Sequence, residues 1–169
     1  MPNTPTSAGF DDYVAVRGRA LLRFAYLLTG DYHLAEDMLQ EALAKVHGRW
    51  SRMRAGHDPT AYVRTAILRQ YLSWRRRRSS GETPSELSLD APTPTDHAET
   101  LAQRDALWHA LSGLPRQQRA AVVLRFYEDL DDDEICRLLG CSVATVRSHI
   151  SRGLARLREE IHTVGGEVR

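Results

Sequence analysis

Apolar side chains recur along the chain at three- and four-residue intervals, and no run alternates convincingly, so the predicted elements are helices. From Phe10 to Leu28 the apolar positions are Val14, Leu21, Leu22, Ala25, Tyr26 and Leu28. Gly30 then stands where a helix C-terminus favours a residue tolerant of positive φ. A second helix is predicted from about His33 to Trp50, with Leu34, Met38, Leu39, Ala42, Leu43 and Val46 on one side. The stretch SRMRAGHDP reads as a loop. Asp58-Pro59 is a strong helix start, an N-cap followed by proline at the first helical position. The third helix runs through AYVRTAILRQYLSWRRRR.

The pattern then lapses. Residues 79–95 (SSGETPSELSLDAPTPT) are rich in Ser, Thr, Pro and Gly, and Leu87 and Leu89 are their only large apolar residues. This reads as a flexible linker between two helical units, residues 10–78 and 96–162. Each unit is near the lower size at which one hydrophobic core suffices. The second unit opens with Asp96 and Glu99 at capping-box spacing, and its first helix offers Leu101, Leu107, Trp108 and Leu111 to the core. Gly113 ends that helix and Pro115 starts the next, RQQRAAVVLRFYE. Asp131 and Glu134 make a second capping box ahead of ICRLL. Gly140 closes that short helix, and Ser142 caps the last one, VATVRSHISRGLARLREE.

The segment DDDEICRLLGCSVATVRSHISRGLARL has the layout of a helix-turn-helix: a short helix, a tight glycine turn, and a second capped helix. At 100° per residue, Val143, Val146, Ile150, Leu154 and Leu157 fall in one stripe roughly 80° wide, a core face. Opposite lie Thr145, Ser148 and Arg152, with Arg147 and Ser151 flanking one side and His149 and Arg156 the other. Arginine forks to guanine O6 and N7, and Ser or Thr reaches several base edges. The small residues Ala144 and Ser148 let such a helix sit deep in a major groove, and Arg156 and Arg158 suit phosphate. The competing reading is a solvated face with cations near a helix C-terminus. The absence of any acid on that face before Glu159 favours DNA.

Composition adds limits. The 169 residues are 42% hydrophobic and 27% charged, ordinary for globular chains. Mean hydropathy is −0.43, and no apolar stretch approaches the roughly 20 residues of a membrane span. The opening MPNTPTSAGFDD has neither a basic n-region nor an apolar h-region, so no secretory signal is expected. With only two cysteines, the expected compartment is the reducing cytoplasm. Net charge is +1, but it is segregated: residues 75–78 are four consecutive arginines, and residues 131–133 are three consecutive aspartates. Lys45 is the only lysine, a bias that a GC-rich genome also produces. Cys136 and Cys141 have no second cysteine pair to complete a zinc set, and the histidines are scattered without paired-ligand spacing. No phosphate-binding glycine loop or nucleophile elbow occurs. No metal, cofactor or catalytic set is therefore expected.

The third helix interleaves Tyr62, Tyr71 and Trp74 with Arg64, Arg69 and the run from Arg75 and Arg76 to Arg78. Basic side chains follow a phosphate backbone and rings stack on unpaired bases, so the mixture suits melted DNA. It equally suits a core face of Tyr62, Ile67, Tyr71 and Trp74 with a solvated cationic helix end. Periodicity leaves these two readings open.

From about Phe10 to Ile161 the chain resembles a bacterial extracytoplasmic-function (ECF) sigma factor of the small two-domain type, particularly actinobacterial members. Three motifs carry the likeness. DYHLAEDMLQEALAKVHGRW resembles region 2.2, and DPTAYVRTAILRQYLSWRRRR resembles regions 2.3 and 2.4. LPRQQRAAVVLRFYEDLDDDEICRLLGCSVATVRSHISRGLARLRE is similar to region 4 over its whole length, with the LPxxQR entry, the GCSxxTVRS turn and the RLR end in order.

The resemblance implies an all-α fold of two small helical domains joined by a flexible linker. It implies a promoter-specificity subunit, not an enzyme, whose partners are core RNA polymerase and promoter DNA, with no membrane. An anti-sigma factor is a common further partner in the family. By position, Asp37, Gln40 and Glu41 are expected to face the clamp of the largest polymerase subunit. These residues also form, with Ala44, a polar strip opposite Leu39, Leu43 and Val46. Region 4 is expected to contact the flap of the other large subunit. Arg64, Arg69, Ser73 and Trp74 fall in the −10 and melting segment, with Arg75 and Arg76 following. Arg147, Ser148, Ser151 and Arg152 fall on the −35 face, beside Thr145 and Arg156. The chain departs from the family at Arg69, where Asn is frequent, at Ser73, where Asp is frequent, in the DDD run, and at Cys136, where a small apolar residue is usual.

Overall fold

A computed structural model of the chain describes residues 5–53, 58–78 and 106–166, with side chains for residues 9–53, 58–73 and 106–163. The linker at 79–95, the Asp96/Glu99 capping box and Leu101 lie outside the described residues. Among the described residues every element is a helix, in keeping with the expected all-α class. The chain divides into two compact units, Met1–Leu87 and Ser88–Arg169.

In the first unit α1 spans Pro5–Thr29, α2 Tyr32–His47, α3 Trp50–Met53 and α4 Pro59–Arg78. Local chemistry sets the boundaries. Gly30 adopts φ 68°, the left-handed conformation that costs a Cβ-bearing residue more, and its N–H bonds Tyr26 O at 2.8 Å. Asp31 caps α2 by accepting from Leu34 N at 3.1 Å. Asp58 Oδ1 accepts from Thr60 N at 2.9 Å, so the Asp-Pro start forms as expected. The core is built from Phe24 and Leu28 of α1, Ala35, Ala42 and Val46 of α2, and Val63, Ile67 and Leu68 of α4. Two polar links pin α4 to its neighbours: Tyr13 Oη donates to Thr60 Oγ1 at 3.3 Å, and Gln70 Nε2 donates to Met38 O at 3.3 Å.

The second helix ends earlier than its periodicity suggests. It stops at His47, Gly48 follows as the C-cap, and Trp50 opens the separate short α3. The indole is the reason: Trp50 is buried, with Phe10 and Tyr13 of α1 against it at ring separations of 5.4 and 5.3 Å. A straight continuation of α2 gives way to this aromatic packing, which recovers more apolar burial than one further helical turn supplies. Residues 51–53, expected as loop, are helical for the same reason.

In the second unit α5 covers residues 106–112, α6 Arg116–Phe126, α7 Asp132–Leu139 and α8 Val143–Gly166. Five consecutive residues of α6, Ala120 to Leu124, are buried together with Gln118 and Arg119. A helix buried all round is the centre of its domain. α8 crosses it closely at Gly153, where a Cβ would stand 2.8 Å from Val122 Cγ2. Leu107, expected in the core, is instead 44% exposed; Ala110, Leu111 and Leu114 close the core one turn later. A single exposed leucine is ordinary on a protein surface. Trp108, also expected as core, is half-buried.

Candidate nucleic-acid interface

The helix-turn-helix is assembled by three local devices. At its entry Asp131 and Glu134 form a complete capping box, Glu134 N to Asp131 Oδ1 at 2.8 Å and Asp131 N to Glu134 Oε2 at 3.0 Å. At the turn Gly140 has φ 66° and ψ 37°. Its N–H bonds Cys136 O at 2.9 Å, and Cys141 N bonds the same oxygen at 3.3 Å, a Schellman-type closure. Such a closure brings the side chains at positions 136 and 141 together, and the Cys136 thiol donates to Cys141 O. Burial and the neighbouring Cys136 raise the Cys141 thiol pKa above its usual range. At the start of α8, Ser142 Oγ accepts from Thr145 N at 3.1 Å.

These devices leave one side of α8 outward. Val146 and Leu157 are buried, while Val143, Ile150 and Leu154 of the same stripe are half-buried. Arg147, Ser151, Arg152 and Arg156 are exposed, and Ser148 is half-buried. Thr145 is half-buried, and its hydroxyl lies 2.8 Å from Ser142 Oγ, so it belongs to the helix cap as much as to the outer face.

A groove of about 360 Å³ runs beside this face, lined by Arg125 and Phe126 of α6, Asp132 of α7, and Arg147, Ser151 and Arg158 of α8, among others. Asp132 forms an ion pair with Arg125, and its Oδ2 accepts from Arg147 Nε at 2.7 Å. The sequence signals Asp132 only as a favourable charge at a helix N-terminus. Its role across three helices depends on a tertiary contact fifteen residues away.

In the first unit an open groove of about 1290 Å³ lies along α2, α3 and α4. Asp37, Glu41, Arg69 and Ser73 all line it, so two sets of residues predicted separately meet on one surface. Gln40 is exposed on α2 but is not among its lining residues. Arg64 is half-buried and sits about 140° round the helix from Arg69, outside the groove. Trp74, Arg75 and Arg76 lie in the last turns of α4, and their side chains fall outside the described residues. Tyr71 is 2% exposed and is core; it is not available to stack on bases, because it shares the stripe of Ile67 and Val63. Tyr62 does line the groove, and its hydroxyl accepts from Arg49 Nη1 at 3.5 Å, a weak bond.

The groove holds further charges that periodicity did not single out. Lys45, Arg49 and Arg52 line its other end, and Lys45 Nζ pairs with Glu41 Oε1 at 2.9 Å. For Arg49 and Arg52 the motif HGRWSRMR carries the sequence signal, as basic residues beside a break in the helix. Among the described residues no three His, Cys, Asp or Glu side chains converge as a metal set, and no helix is long and apolar enough to cross a membrane.

Both units have counterparts among known proteins. Residues 14–81 match the family model of Sigma-70 region 2, and residues 104–157 match that of Sigma-70, region 4. The chain is 40% identical over 152 residues to the RNA polymerase sigma-E factor of Streptomyces coelicolor, covering 90% of this chain and 85% of that protein. It is 31% identical over 156 residues to the ECF RNA polymerase sigma factor SigE of Mycolicibacterium smegmatis, covering 89% of this chain and 60% of that one. Among solved structures, the sigma factor RpoE of Bartonella quintana, in complex with the anti-sigma factor NepR, has the same fold. Its TM-score is 0.70 at 23% identity, over 91% of this chain and 97% of that chain. With one matching region in each compact unit, and with an extensive likeness to the Streptomyces protein, the chain belongs to the ECF family of RNA polymerase sigma factors.

Proposed function

We propose that the chain binds core RNA polymerase and directs it to promoters, with residues 10–78 serving polymerase and the −10 element and residues 96–162 serving the −35 element. Residues 79–95 join them. The observation that carries the reading is the outward face of α8. Arg147, Ser151, Arg152 and Arg156 stand exposed on a helix held from behind by Val146, Gly153 and Leu157, and α8 itself carries no carboxylate before Glu159.

The mechanism follows from the surfaces. α8 docks in the −35 major groove, its arginines and serines reading base edges. Asp37, Gln40 and Glu41 present hydrogen-bond acceptors and a polar amide to the polymerase clamp. Arg69, Ser73 and Trp74, with Arg75 and Arg76, hold unpaired −10 bases. Stacking there is worth about 1–3 kcal/mol per base, enough to favour the melted state. Arg64 stands about 140° round α4 from Arg69, outside the groove, and contributes positive charge to the same helix. The protein then contributes positioning and strand stabilisation while the polymerase performs the chemistry, so it acts in the cytoplasm, where template and polymerase meet. An anti-sigma factor is a further partner class that membership of the family brings into the proposal.

Runoff transcription with core polymerase on a genomic library, followed by start-site mapping, tests the reading. The expected result is a set of starts that appears only with the chain present and shares upstream elements. A chain that neither joins the polymerase nor changes where it initiates overturns it. Sequence-specific duplex binding without polymerase would instead indicate a free-standing regulator.

A further inference from the structure

We propose that Asp132 is a positioning residue that sets the base selectivity of Arg147, an inference that rests on the DNA-reading role of α8 given above. The carboxylate is itself well fixed. It is the first residue of α7, directly after the N-cap Asp131, it is half-buried, and its Oδ1 faces the Arg125 guanidinium at the end of α6. Its Oδ2 takes the Nε–H of Arg147 at 2.7 Å, a charge-assisted bond of good length.

That choice of nitrogen has a consequence. A guanidinium has five N–H donors in a rigid fork. With Nε–H engaged, Nη1 and Nη2 remain, and among the described residues they meet no acceptor. The Arg147 side chain is 71% exposed although one of its donors is bound. The side chain is therefore anchored at its base and open at its tip, the geometry that an end-on fork to guanine O6 and N7 needs. An unanchored arginine would lose more rotamer freedom on docking and would accept several base partners. Exposed ion pairs contribute little to folding stability, so the effect belongs to orientation.

Asp132 also adds a negative charge beside a surface that meets phosphate. It thus weakens binding to all DNA while sharpening the choice of base, a repulsive element of the kind that specificity often requires. The two effects have opposite signs, which separates a positioning role from a merely structural one.

The test is competition binding of the holoenzyme to promoters randomised across the −35 element, using wild type, Asp132→Ser, Asp132→Asn, Arg147→Ala and the Asp132→Ser/Arg147→Ala double variant. Serine suits a helix start but is too short to reach Arg147; asparagine keeps an acceptor oxygen. Arg147→Ala is expected to flatten preference at one base pair by on the order of tenfold. Asp132→Ser should flatten the same pair, raise affinity for unrelated DNA, and steepen the salt dependence by about one phosphate contact. Asp132→Asn should retain part of the preference, and the double variant should show the same preference at that pair as Arg147→Ala while keeping the raised affinity for unrelated DNA. Full preference in Asp132→Ser at the pair that Arg147→Ala flattens overturns the proposal while leaving DNA reading by α8 intact. So does any additional loss in the double variant, which would mean that Asp132 reads a base itself. A wild-type holoenzyme with no preference anywhere in the element overturns both readings.

Discussion

Gly153 sits in the middle of a long helix, where alanine is ordinarily better by about 1 kcal/mol. Here the balance reverses. The added Cβ would stand 2.8 Å from Val122 Cγ2, and Val122 is buried and stiff about χ1. Overpacking costs about 1–3 kcal/mol, so Gly153→Ala is expected to destabilise the second unit by roughly 1 kcal/mol net. Faster hydrogen exchange at the α6 amides would register it, and slower exchange would contradict the packing argument. Cys141 offers a second check. Its raised pKa, due first to burial and then to Cys136, leaves less thiolate at neutral pH. In a Cys136→Ala chain, where burial remains, iodoacetamide should modify Cys141 more slowly than it modifies a free cysteine peptide at pH 7.5, and the rates should converge at high pH or in denaturant.

Helix boundaries are where the sequence was most informative, because capping is chemistry between near neighbours. Asp58-Pro59, the Asp131/Glu134 box, Gly30, Gly140 and Ser142 each act within five residues, and each forms as its spacing predicts. Asp131→Ala removes one half of the box and is expected to cost about 1 kcal/mol, read as earlier exchange of α7 amides, with α1 to α4 unchanged. What the sequence hid depends on partners brought together by the fold. The break after His47 needs Phe10 and Tyr13 from α1. The burial of Tyr71 could not be separated from a stacking role by periodicity. Gly153 reads as a weak point in a helix until Val122 is placed against it. Asp132 reads as one of three equivalent acids until Arg125 and Arg147 are seen on either side of it.

At the scale of the whole molecule the two units divide the proposed work, and each has a surface that can be impaired separately. Asp37→Ala combined with Gln40→Ala removes exposed polar groups from α2, and neither residue is buried. The double variant is expected to keep its circular dichroism spectrum and melting profile while losing polymerase affinity by tenfold or more, on the order of 1.4 kcal/mol. Undiminished capture of core polymerase would remove the assignment of that strip. The candidate sites were legible in outline: exposed side chains at 37, 40, 41, 147, 151, 152 and 156 stand on the sides that helical periodicity assigned to them. Their grouping was not legible, because Asp37, Glu41, Arg69 and Ser73 meet only once α2 and α4 pack.

The glycine at position 140 bears on which substitutions the helix-turn-helix accepts. Apart from its own chain neighbours, nothing lies within 4 Å of where its Cβ would be, so the left-handed backbone is what restricts it. Asparagine would be tolerated there and a β-branched residue would not. The turn between α7 and α8 thus selects its residue by backbone conformation, while the buried Ile135 and Val146 and the Asp132–Arg147 bond hold the two helices together. Exchange of the outward side chains of α8 is therefore independent of the turn that aims them: the one alters surface chemistry, the other demands a residue that accepts positive φ.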